Sequence, residues 1–171
     1  MILRLLSWHG HAHSNSCADR QLTYVKFILE LPINKPRPAV WKAFDTPENM
    51  KIWQPSLVSI EPVSGTAGQP GAVSKLTYEE NGRQFSLIEK ITYRAELNRL
   101  DGLYENDFAD NTIKNTFIEK DKDQTLWLVE TEFKFKTLIM HVAGPLMKKT
   151  YIARTQKDME RFKGMVEDPL Q

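Results

Sequence analysis

From Leu22 to Leu31 the residues Thr23, Val25, Phe27, Leu29 and Leu31 alternate with Leu22, Tyr24, Lys26, Ile28 and Glu30, leaving one side wholly apolar after its first residue. A period of two puts successive side chains on opposite faces of a strand. The period then changes. Pro38 to Asp45 carries Val40, Trp41 and Phe44 at helical spacing, behind Pro36 and Pro38, and proline is tolerated in a helix's first turn. Thr46 is placed to cap a second short helix that starts at Pro47, has Glu48 and Asn49 near its positive end and Trp53 near its far end, and stops at Pro55.

From Leu57 onward the period of two returns, broken at Gly65, Gly68, Pro70-Gly71, Asn81-Gly82 and Gly102. Asn81-Gly82 joins Val73–Glu80 to Arg83–Tyr93 and is a strong hairpin signal, because both turn residues must accept a positive φ. Further strands are predicted at about Leu97–Glu105, Asn111–Glu119 and Gln124–Lys136. Parity separates two faces. Phe85, Leu87, Ile91 and Tyr93 share a side with Glu89, and Trp127, Val129, Thr131, Phe133 and Phe135 oppose Glu130, Glu132, Lys134 and Lys136. One face is therefore wet and the other aromatic-rich and covered.

The cover comes from the tail. Between Pro145 and Glu167, Ile152, Thr155, Met159, Phe162 and Val166 recur at spacings of three and four, against a polar side that includes Lys148, Lys149, Arg154, Lys157, Asp158, Arg161 and Lys163. A helix of ~23 residues spans roughly 35 Å, enough to cross a sheet. The class is α+β: a first strand, two short helices, about six further antiparallel strands and a long C-terminal helix. Residues 22–168 are expected to form a single domain, and residues 1–21, which show neither period, a disordered leader. Deleting that leader is expected to leave the thermal midpoint nearly unchanged.

The order of elements, with Val40-Trp41-Lys42-Ala43-Phe44, then Thr46-Pro47-Glu48 and Trp53, then Gly71-Ala72-Val73 and Asn115-Thr116-Phe117, resembles the START-like SRPBCC superfamily of polyketide cyclase and lipid-transport type. The resemblance implies the helix-grip fold, a curved antiparallel sheet of about 6–7 strands wrapped around the long helix with a cavity between them. It implies a binding site built by Leu76, Tyr78, Phe85, Leu87, Ile91, Tyr93, Tyr104, Asn115, Phe117, Trp127, Thr131, Phe133 and Phe135 on the sheet. Trp53, Tyr151, Thr155 and Met159 would lie across the opening or along the lid. Aromatic side chains filling a dry core are the competing arrangement.

Composition narrows the partners. Lys plus Arg (23) balance Asp plus Glu (22), and a net charge of +1 gives no reason to expect nucleic acid or an anionic membrane. No apolar run approaches the ~20 residues that span a bilayer, so no stable membrane insertion is expected. Cys17 is the one cysteine, which rules out an intrachain disulfide and CxxC chemistry and points to a reducing, cytoplasmic compartment. The expected partner is a small hydrophobic molecule, and the chain reads as monomer or homodimer alike.

Glu89 is the ionisable residue that stands out, since parity places it among Phe85, Leu87, Ile91 and Tyr93. A desolvated carboxyl there would have a raised pKa and serve as general acid or base, or orient a ligand. A rim position paired with Arg94 or Arg99 is the alternative. His141 has no second His or Cys near it, and His9, His11 and His13 lack a carboxylate or thiolate partner, so no metal site and no cofactor is implied. No GxSxG, P-loop, GxGxxG or HExxH occurs. Three functions remain open: binding and transport of a lipid, polyketide or aromatic ligand; a cyclase/dehydratase-type enzyme working in the same cavity through Glu89; and a protein-interaction module of the co-chaperone-like type.

Overall fold

The structure, a computed structural model, describes residues 24–168. The leader, with its three histidines and Cys17, lies outside the described residues, as do Leu22 and Thr23. β1 (Tyr24–Ile33) buries Val25, Phe27 and Ile33 and exposes Tyr24, Lys26 and Ile28, as its alternation requires. It is followed by α1 (Arg37–Phe44) and α2 (Pro47–Trp53), and then by β2 (Leu57–Ser64), β3 (Val73–Glu80), β4 (Arg83–Ala95), β5 (Arg99–Glu105), β6 (Ala109–Asp121) and β7 (Gln124–Phe135). The seven strands form one antiparallel sheet in the order β1-β7-β6-β5-β4-β3-β2. At the β3–β4 turn Asn81 and Gly82 have φ of 52° and 72°, the pair of positive values that a tight hairpin needs.

The N-terminus of α2 departs from its expected form. The Thr46 hydroxyl makes no cap; it donates back to the Lys42 carbonyl at 2.7 Å, closing the end of α1 instead.

The tail also divides differently from its sequence pattern. Instead of one helix from Pro145 there are two, α3 (Leu138–Leu146) and α4 (Lys148–Glu167), with Pro145 inside the last turn of α3. Thr137 starts α3 by accepting the Met140 N–H on its side chain at 3.3 Å. Gly144 lets α3 settle on β7, since a Cβ at that position would stand 2.1 Å from the Phe135 ring. His141 consequently lies within α3 rather than ahead of the long helix.

α4 packs its Met159, Phe162 and Val166 against the sheet and α2. The main core gathers at that end. Trp127 meets Phe44, Trp53, Phe117 and Phe162 at centroid distances of 5.6, 6.1, 5.9 and 4.9 Å.

Candidate functional site

Away from that aromatic cluster the concave face of the sheet does not close on the helices. A cavity of about 550 Å³ remains, walled by β3 to β7 and covered by α2, α3 and α4. Such a volume suits a small-molecule ligand. A second groove of about 590 Å³ runs along α4, lined by Glu80, Lys149, Arg154, Asp158 and Arg161 among others, and is more open to solvent.

The wall includes Trp53, Tyr78, Phe85, Leu87, Ile91, Tyr104, Asn115, Trp127, Phe133, Tyr151, Thr155 and Met159, with Glu89 among them. Five residues placed in the wall by parity are elsewhere, one of them Phe135, which is buried with Val25 and Phe27. Tyr93 stands on the outer face, 48% exposed, with the Arg99 guanidinium 5.3 Å from its ring centre. The reason is a bulge: Ile91 pairs with Gly102 but Tyr93 with Asp101, so Thr92 is the extra residue and alternation reverses beyond it. Leu76 is fully buried in a cluster with Leu57 and Tyr78, beneath the wall rather than on it. Phe117 is taken up by the aromatic cluster, edge-on to Trp41 at 5.7 Å. Thr131 is buried between Phe27 and Ile113 on the neighbouring strands.

Glu89 stands opposite Tyr104 on β5, with the phenol near enough to act on the carboxyl. A minor part of its surface stays open, and Glu89 lines the cavity. Burial pushes the Glu89 carboxyl above its ordinary range, and the Tyr104 phenol opposes this only in part. Neither arginine considered as a partner reaches it: Arg94 binds Asp45 at 2.6 Å and Glu96 at 2.8 Å, and Arg99 binds Asp101 at 2.7 Å. Tyr104 itself is held well above the usual phenol value, first by burial and then by the Glu89 charge, so it remains a donor. Gly102 makes the pair possible, because a Cβ there would lie 2.9 Å from the Tyr104 ring.

Other polar groups complete the site. Tyr78 donates to Gln54 at 2.8 Å and stacks on Phe85 at 5.5 Å. Asn115 spends its side chain on structure, accepting from Trp127 Nε1 at 3.2 Å and donating to the Leu100 carbonyl at 3.3 Å. The Trp53 Nε1 and the Asn111 Oδ1, in contrast, are buried on cavity residues with no hydrogen-bond partner among the described residues. One is a donor and the other an acceptor.

Asp158 of α4 also lines the cavity, its carboxyl raised by burial against the opposing pull of Arg154 and Arg161. Both Arg154 and Asp158 read as outward-facing in sequence. The helical pattern carried no sign that α4 turns this polar edge over the cavity rim, where Arg154 binds Glu80 at 2.7 Å and covers the Tyr78 ring at 5.7 Å. Asn106, Phe108, Met140 and Met147 lie in a turn, on α3 or between α3 and α4, where the sequence pattern assigned no inward face, whereas Asn111 shares the inward parity of Asn115 and Phe117.

No protein-family model and no curated protein sequence matches the chain. Solved structures do. The Zhui aromatase/cyclase from Streptomyces sp. R1128 superposes with a TM-score of 0.72 at 10% identity, over 86% of this chain and 96% of that one. A START superfamily protein from Mycobacterium smegmatis gives 0.69 at 18% identity, over 83% and 97%. A point mutant of Thalictrum flavum norcoclaurine synthase, in complex with a transition-state analogue, gives 0.62 at 13% identity, over 84% and 94%. At these identities the likeness is one of fold: the chain has the helix-grip fold that these structures share.

Proposed function

We propose that the cavity binds a small apolar or aromatic molecule carrying at least one hydroxyl or carbonyl group. The observation that carries this reading is the combination in one site: about 550 Å³ of space lined by Leu87, Ile91, Ile113 and aromatic rings, with the Glu89–Tyr104 pair on its wall. The unpartnered Trp53 donor and Asn111 acceptor support it, since buried polar atoms without partners are rare and a ligand would satisfy them. The solved relatives named as an aromatase/cyclase and as a START superfamily protein agree with a cavity used for such molecules.

A cyclase/dehydratase-type activity is the second reading. Glu89 supports it, because a carboxyl with a raised pKa beside a phenol that stays protonated can give or take a proton from a bound ligand. Tyr104, opposite Glu89 on β5, supports this reading.

Glu89→Gln tests both the burial and the chemistry. The raised pKa means that the folded chain holds this proton more tightly than the unfolded chain does. The stability it contributes is complete below the unfolded value of ~4.3 and is lost as pH rises through the folded value. Removing the charge should therefore raise the thermal midpoint at pH 7, by about 2–4 °C per kcal/mol recovered, and leave it nearly unchanged at pH 4. An unchanged midpoint at pH 7 would place Glu89 in solvent and remove it from the site. In an enzyme the variant would also lose turnover while keeping ligand affinity.

A further inference from the structure

The first turns of the tail carry an apolar face that the fold does not use. Leu138, Ile139, Val142 and Leu146 of α3 are 85%, 78%, 71% and 81% exposed. At 3.6 residues per turn these four positions fall within an arc of about 100°. The opposite side of the same helix is occupied: Met140 lines the cavity and Gly144 is packed on Phe135. Phe108, 59% exposed, adjoins this face, because its carbonyl accepts the Lys136 N–H one residue ahead of the Thr137 cap. Large apolar side chains concentrated on one helix mark a surface that meets something other than water.

Charge identifies what it meets. From Phe133 to Lys157 the chain has six basic residues, Lys134, Lys136, Lys148, Lys149, Arg154 and Lys157, and no Asp or Glu. Net charge hides this asymmetry. Lys148 and Lys149 are exposed at the end of α3 and make no ion pair among the described residues. Asp110 is spent on Lys136 at 2.5 Å, leaving Asp107 as the acid in the turn that carries Phe108. An apolar stripe flanked by lysines is the pattern of a helix that lies in a membrane interface, and no helix among the described residues is long and apolar enough to cross one.

We propose that the α3 face, with Phe108 and Lys148–Lys149, docks the protein reversibly on an anionic lipid surface. The helix would then separate that surface from the cavity, its outer residues in the headgroup layer and Met140 on the ligand side. The docking does not rest on the ligand reading, since it requires only the exposed side chains of α3, Phe108 and the Lys148–Lys149 pair.

Flotation of the full chain with vesicles tests it, comparing phosphatidylcholine alone with phosphatidylcholine mixed with phosphatidylserine. The protein should float with the mixed vesicles, more weakly with phosphatidylcholine, and less as salt shortens the screening length. The double variant Leu138→Ser/Val142→Ser should lower binding to both at least tenfold. The double variant Lys148→Glu/Lys149→Glu, which alters only exposed side chains, should lower binding to the mixed vesicles about tenfold or more and leave the phosphatidylcholine level unchanged. Absence of flotation, or equal flotation of wild type and both variants, would overturn the proposal. So would a dimer in sedimentation equilibrium that Leu138→Ser/Val142→Ser dissociates, because the face would then belong to a second copy.

Discussion

Trp127→Ala should lower the stability of the domain by about 3–5 kcal/mol, the cost of removing a large aromatic side chain from a packed core. Trp127 is 2% exposed and lies at the junction of three elements, meeting Phe44 of α1, Phe117 of β6 and Phe162 of α4. Its indole N–H also donates to Asn115, whose amide would lose that partner inside the protein. For a domain with a typical stability of ~5–15 kcal/mol the loss is a large fraction. Chemical denaturation should show it as a fall in midpoint. A loss under about 1 kcal/mol would mean that the cluster does not close that end of the sheet.

Ile113→Trp should have the opposite profile, abolishing ligand uptake while sparing the fold. Ile113 is half-buried on β6 and faces the cavity. Enlarging a side chain in a filled core costs ~1–3 kcal/mol through strain, but about 550 Å³ of space lies before this one. The new ring would occupy the volume a ligand needs. Binding of anilinonaphthalene sulfonate, an apolar fluorophore, should weaken roughly 100-fold, or ~2.7 kcal/mol, with the thermal midpoint within a few degrees of wild type. If the fluorophore binds both proteins equally, it does not enter the cavity. If the variant unfolds instead, the space is too small to accept a ring and the binding reading fails with it.

The two substitutions separate the parts of the inner face that the sequence presented as one. Parity grouped Phe117, Thr131 and Leu76 with Leu87, Ile91 and Phe133 because all alternate inward on amphipathic strands. Whether an inward residue meets a helix or empty space depends on where the helices lie over the sheet. α1, α2 and Phe162 of α4 close the end that holds Phe117 and Trp127, whereas the cavity lies between the rest of the inner face and α2, α3 and α4. Tyr93 failed for a local reason, since one inserted residue at Thr92 reverses alternation without a Gly or Pro to signal it. The exposed α3 was invisible for another: a run rich in Leu, Ile and Val has the composition of a core segment, and only the packed position of its neighbours shows that half of it faces outward.

What the sequence determined by itself is local. The alternation of seven strands, the Asn81-Gly82 turn, the two short helices behind paired prolines and the amphipathic face of α4 follow from periods of 2 and 3.6 and from backbone preference. Those elements in that order, together with Val40–Phe44, Thr46–Glu48, Trp53, Gly71–Val73 and Asn115–Phe117, carried the resemblance that implied the helix-grip fold. The tertiary structure alone decided that the sheet and helices leave a cavity, that Tyr104 reaches Glu89 across the space Gly102 provides, and that Asp158 turns inward while Leu138 and Val142 turn out. The physical reason is that a sequence period fixes only which side of its own element a residue occupies, whereas burial, pKa and reach are set by the gap between elements that are distant in the chain.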